Sequence, residues 1–283
     1  MKRQGTEIMG TGMKHLSKAI LAVAAGVAAL HAAPALSAVQ TWDFDSGSQS
    51  FSSSSFGNSL SLTSSDGINL TVTGWSDTWD LTGEDEVDDA RLLWANSSAL
   101  GVQNRDENTG SPNHSIDNVT SDSDGEFDML LLNFDTAVNL TGIDLNWAVD
   151  GYSSGIADVS ILAYDGTGSA GVSGSTWSGI LSSNGGNYDS AGNHNNVGLS
   201  YYAVNPTDIV STAWLVGVYN PVFGSGSGLD GGDDGMKLSL ITTETGGDEP
   251  PPPGEVPVPG SAPLLLLGLA LLRGWGRAPG KSA

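Results

Sequence analysis

Phe127-Asp128-Met129-Leu130-Leu131-Leu132-Asn133-Phe134 decides how the rest of the chain is read. It is apolar almost throughout, which suits a central strand covered on both faces, and Thr212-Ala213-Trp214-Leu215-Val216-Gly217-Val218-Tyr219 has the same character. Around these two, apolar and polar residues alternate. Ile68, Leu70 and Val72 do so in INLTVTGW, Val159 and Ile161 in ADVSILAY, and Leu238 and Leu240 in MKLSLITT. A period of two with β-branched and aromatic residues marks half-buried strands. VQTWDF at 39 to 44, ARLLWA at 90 to 95, VNLTGIDLNW at 138 to 147 and LSYYAV at 199 to 204 complete about nine candidates. Glycine, serine, asparagine and aspartate punctuate them and no helical period is sustained. The expected fold is all-β, an antiparallel β-sandwich of the jelly-roll kind.

The body of the chain is strongly acidic. Only Glu7 of the 32 acids lies in the first 38 residues, so residues 39 to 255 carry 31 acids against Arg91, Arg105 and Lys237; three bases against 31 acids leave −28. Such a field repels nucleic acid and anionic lipid, and self-repulsion loosens the compact state unless cations screen it. No nucleic-acid partner is expected. Cysteine is absent, which removes disulfides, thiol nucleophiles and thiolate metal sites; with only His114 and His194 in the body, a multi-histidine metal site is removed too.

Hard oxygen ligands on glycine-bearing loops suit calcium, which takes six to eight oxygens with loose geometry. Asp230, Asp233 and Asp234 in GSGSGLDGGDDGMKL, just before the last strand, form the leading candidate site. Asp122, Asp124, Glu126 and Asp128 form a second cluster; it is no EF-hand, because glycine falls at 125 and Asn133 stands where the closing Glu belongs. The run GEDEVDD at 83 to 89 reads as solvated charge. No other cofactor is required.

No catalytic residue is assigned and the chain is not expected to be an enzyme. Gly151-Tyr152-Ser153-Ser154-Gly155 fits a nucleophile-elbow pattern, but the elbow needs a helix after it and IADVSILAY is strand-like. Most of the tryptophans read as core or rim packing. Trp75 and Trp79, in the polar stretch GWSDTWD, are the candidates for an exposed platform that stacks on sugars.

Both ends carry transport signals. Lys14 and Lys18, an apolar stretch from Ala19 to Ala29 and small residues through Ala38 have the order of a secretory leader, residues 1–38, for a signal peptidase cutting after Ala38, with Ala35 second. Met13 opens a complete leader by itself. The body spans 39–245. A proline-rich linker and motif, 246–259, then leads to a short transmembrane-like helix with a basic tail, 260–283; its apolar stretch, Ser261 to Leu272, is short of the roughly 17–25 residues that a permanent anchor needs.

This tail resembles the PEP-CTERM sorting signal that exosortases process in Gram-negative bacteria. Val256-Pro257-Val258-Pro259 matches its motif with valine where glutamate is usual, Ala262 to Leu272 match its helix, and Arg273 and Arg277 match its basic end. The segments GVQNRDE at 101 to 107, SPNHSIDN at 111 to 118 and WAVDGYSSGIADVSILAYDG at 147 to 166 are similar to one family of exosortase-dependent proteobacterial surface proteins, a resemblance that implies sorting and carries over no assigned enzymatic activity. Within them Arg105 is expected to pair with Asp106, Glu107 or Asp117, and His114 is a candidate ligand. Five N-x-S/T sequons, at Asn69, Asn96, Asn113, Asn118 and Asn139, leave glycosylation open.

The combined expectation is a secreted cell-surface or extracellular-matrix protein with an adhesive or structural role in the envelope or biofilm matrix. Its partners would be signal peptidase and exosortase during a transient stay at the inner membrane, then exopolysaccharide. The alternative is a calcium-dependent carbohydrate-binding module; a secreted hydrolase comes third.

Overall fold

A computed structural model describes residues 38–77, 85–95, 97–106, 114–118 and 126–245. The leader, the linker and the sorting tail, with Val256 to Pro259, Arg273 and Arg277, lie outside the described residues, as does Trp79. No helix among the described residues is long and apolar enough to cross a membrane.

The chain runs through β1 (Val39–Asp43), β2 (Ser59–Thr63), β3 (Asn69–Asp77), β4 (Val87–Asp89), β5 (Arg91–Trp94), β6 (Leu100–Gln103), β7 (Ile116–Asp117), β8 (Asp128–Asp150), β9 (Ser153–Ser154), β10 (Ile156–Tyr164), β11 (Tyr188–Gly198), β12 (Tyr202–Ala203), β13 (Ser211–Val218) and β14 (Asp234–Thr245). All ladders between these strands are antiparallel, as expected for the all-β class. They join into one 14-stranded network whose main path is β11-β10-β13-β8-β14-β6-β5.

The two segments FDMLLLNF and VNLTGIDLNW, expected as separate strands, are one. β8 runs 23 residues and exchanges neighbours along its length. Its first part lies between β3 and β13, with Leu132 opposite both Val72 and Trp214. Its second part lies beside β14, from Val138↔Thr245 to Asp150↔Asp234, with the short strands β12 and β9 also paired to it. The change comes where the register with β13 jumps from Asn133↔Ala213 to Val138↔Ser211, a bulge whose extra residues include the exposed Asp135 and Thr136.

Neighbouring side chains of a strand point to opposite faces, and here each face has its own core. Leu130, Leu132 and Phe134 join Leu70, Val72, Trp214, Val216 and Ile241 in the larger cluster, together with Val138, Leu140 and Ile143 from the second part of β8. Met129 and Leu131 point the other way, towards Ala213, Leu215 and Leu162, and are capped by Val172, Trp177 and Ile180 from the segment between β10 and β11. Each such buried Leu or Val side chain contributes about 1.5–3 kcal/mol.

LSYYAV shortens to the two residues of β12; the Val204 N–H still donates to the Thr141 carbonyl of β8, and Asn205 then turns into the loop before β13, its Nδ2 donating to the Ile209 carbonyl. Strand β11, YDSAGNHNNVG, was not foreseen: it is polar, sits at the end of the ladder path and among the described strands pairs with β10 alone, so it has no apolar alternation to read.

Candidate metal centre

Three strand ends bring acids together. Asp150 closes β8, Asp234 opens β14, and the two are register partners. Asp158 is the third residue of β10, the strand reached through the hairpin at Gly151. Gly151 has φ 51, and a Cβ there would meet Asp233 Oδ2 at 2.6 Å, so glycine lets the loop before β14 close onto the end of β8. Its N–H donates to the Asp233 carbonyl at 3.0 Å.

Two overlapping trios result. Carboxylate oxygens of Asp150, Asp158 and Asp234 lie within 4.8 Å of one another, and so do those of Asp150, Asp230 and Asp233. The inner trio is deep: Asp158 and Asp234 are both 0% exposed and Asp150 is half-buried. In the outer trio Asp230 is exposed.

Backbone donors aim the inner carboxylates. Asp158 Oδ1 accepts the Asn196 N–H at 2.7 Å and its Oδ2 the Asp230 N–H at 3.2 Å. Asn196 can point its N–H there because it takes a left-handed φ of 54 at the irregularity between Ala157↔Val197 and Val159↔His194. Asp234 Oδ1 accepts the Asp158 N–H at 2.7 Å, and Asp234 Oδ2 is buried with no hydrogen-bond partner. Asn118 clamps the same residue: its Oδ1 accepts the Asp234 N–H at 2.8 Å, its own N–H donates to the Asp234 carbonyl, and its Nδ2 donates to the Tyr219 carbonyl.

The electrostatics follow from burial and crowding. Burial first, then the neighbouring Asp158 and Asp150, push Asp234 up to about 8. Burial and the surrounding aspartates raise Asp150 and Asp158 as well; the N–H groups of Asn196 and Asp230 partly offset this at Asp158. The cation nearest in sequence is engaged elsewhere, with Lys237 Nζ 4.7 Å from the Trp147 ring centroid and 3.4 Å from His114 Nε2.

Of the calcium residues read from sequence, Asp234 joins one trio and Asp230 and Asp233 the other. Asp150 and Asp158 were missed, although an acid within the strand candidate ADVSILAY was a legible signal. They and Asn118 fall within the segments WAVDGYSSGIADVSILAYDG and SPNHSIDN. The other acidic candidates go to different ends. Glu126 Oε2 accepts from Asn104 Nδ2 at 2.6 Å, Asp128 is buried beside Asp117, and Asp122 and Asp124 lie outside the described residues. Arg105 reaches Asp88 at 2.8 Å, and Asp89, so the GEDEVDD run read as solvated holds the partners of this cation.

The GYSSG turn leads into strands β9 and β10, with no helix after Ser153. Trp75 is half-buried against the smaller core with its Nε1 donating to Thr73 Oγ1 at 2.8 Å. Among the sequons, Asn118 and Asn139 are buried and Asn69 is exposed. Comparison with protein-family models, curated proteins and solved structures finds no match to this chain.

Proposed function

We propose that this chain is an exported, exosortase-sorted protein of the cell surface or extracellular matrix, with an adhesive or structural role. The observation that carries this reading is the division of charge: a body at −28 lies between a leader and a tail that hold the remaining Lys and Arg beside apolar stretches. The tail acts as a disposable membrane handle. The motif Val256 to Pro259 marks the processing region, and Arg273 and Arg277 hold the basic end at the inner face. The freed body then meets exopolysaccharide or neighbouring chains, with divalent cations bridging carboxylates that would otherwise repel.

The body is read as a β-sandwich of the jelly-roll kind. The sharing of one core by residues from both parts of β8 supports two facing layers. Replacing Leu264 to Leu267 with serine should move the protein from the surface fraction to the soluble secreted fraction. Undiminished surface display of that variant would overturn the proposal.

A second reading, a calcium-dependent carbohydrate-binding module, has a specific observation in its favour. Phe51 and Trp94 stack at 4.7 Å along an open groove that Arg91, Ser53, Ser54 and Asn58 also line. An aromatic face beside hydroxyl and guanidinium donors is the surface a sugar ring requires.

A further inference from the structure

We propose that Asp150, Asp158 and Asp234 hold one calcium ion that ties together the ends of β8, β10 and β14. The outer acids Asp230 and Asp233 serve as its mouth. This site stands on its own geometry and does not depend on how the chain is sorted.

Acidic clusters are common on protein surfaces, and two features separate this one from them. Asp158 and Asp234 have no exposed area, and charge is not carried into a protein interior without a counter-charge or a proton. The second feature is the Asp234 carboxylate itself. One oxygen is held by the Asp158 N–H, which fixes the rotamer, and the other is buried with nothing to bond. A buried acceptor left unmade costs about 1–3 kcal/mol or more when charged, so an orphan on a carboxylate that stands within 4.8 Å of two others points to a missing positive partner.

The ligand set selects the ion. All donors are oxygens, and there is no cysteine in the chain, so soft metals are disfavoured. Calcium–oxygen distances of about 2.3–2.6 Å allow two ligands of one ion to be up to roughly 5 Å apart. The carboxylate oxygens of the trio, all within 4.8 Å of one another, meet that span. Each Asp158 oxygen accepts one backbone N–H and keeps a second lone pair for a metal. The half-exposed Asp150 leaves one side open beside Asp230 and Asp233, where waters complete six to eight ligands, a looser shell than magnesium accepts.

The consequence is mechanical. β8 and β14 are register partners at Asp150↔Asp234, and Asp158 receives N–H donors from Asn196, at the end of β11, and from the loop at Asp230. An ion there joins the ends of β8 and β10 to that of β14, 84 and 76 residues further along the chain, and removes the repulsion that otherwise opposes their meeting. Calcium thus acts on the fold of the body before any role in bridging to other molecules.

The test uses the full chain, stripped with chelator and titrated calorimetrically with calcium chloride at pH 7.5, alongside thermal melts in calcium, magnesium and sodium chlorides of equal ionic strength. One saturable calcium per chain at micromolar to sub-millimolar concentration is expected, with a rise in Tm that magnesium and sodium do not match. Asp234→Asn should weaken binding at least about 100-fold and abolish the rise, since it removes a direct ligand charge. The double change Asp230→Asn with Asp233→Asn should leave a saturable ion in place. Should Asp234→Asn fail to fold, Asp150→Asn at the half-exposed edge takes its place. No saturable binding in the wild type, or binding lost with the outer pair and kept in Asp234→Asn, would overturn the inner site. Surface display of the Leu264 to Leu267 variant reports on sorting alone, so the two proposals fail separately.

Discussion

Freed of divalent cations, the protein should lose stability as pH rises from about 5 to 7, and Asp234→Asn should remove a large part of that loss. The unfolded carboxyl ionises near 3.8, whereas burial and its two aspartate neighbours push Asp234 in the folded chain up to about 8. Between those values the folded state keeps a proton that the unfolded state has released. Bound protons are then more numerous in the folded state, so the stability this group lends is full below 3.8 and disappears as pH climbs through 8. One proton corresponds to about 1.4 kcal/mol per pH unit, or about 2.7 kcal/mol from pH 5 to 7. Water reaching the half-exposed side of the cluster screens the charges, so about 1–2 kcal/mol is the expected difference between wild type and Asp234→Asn. Asp77, which burial pushes up to about 7, adds a slope of the same sign to both proteins and cancels in the comparison. Urea unfolding of the two full chains in chelator at pH 5, 6 and 7 measures it. Equal pH slopes would refute the reasoning, because a carboxylate that costs nothing to ionise is neither buried nor crowded.

Gly217→Ala should destabilise the body by about 1–3 kcal/mol in urea melts, since the new Cβ would meet the Asp128 carbonyl oxygen at 2.4 Å and Met129 Cγ at 2.7 Å where β13 crosses β8. Wild-type stability in that variant would show that the strands can part there without cost. If the groove binds sugar, Trp94→Ala should weaken binding of the full chain to purified envelope polysaccharide about 10-fold or more, at about 1.4 kcal/mol per factor of ten, with the calcium-induced rise in Tm unchanged. Unaltered binding would remove the carbohydrate reading of that groove.

The all-β class is legible from short-range pattern alone, because alternation is a property of consecutive residues. Leu70 and Val72 on one face of β3, with Asn69 and Thr71 on the other, need no partner to be recognised. The acidic charge and the absence of cysteine likewise follow from composition and limit the metals available. The strands that escaped include β2, whose alternation SLSLT is only five residues long, β6 and β7 of four and two residues, and β11, which is polar at the end of the ladder.

What only tertiary structure decided is which acids meet. Sequence proximity grouped Asp230, Asp233 and Asp234, yet Asp234 turns inward while the other two face the opening. The inner partners, Asp150 and Asp158, come from 84 and 76 residues upstream of Asp234, joined by an antiparallel ladder and by the Asp158 N–H donating to the Asp234 carboxylate. Burial, which raises the cost of charge and leaves Asp234 Oδ2 without a partner, is a property of the folded chain. Spacing along a sequence says which residues are available to a cation, and strand register says which of them converge.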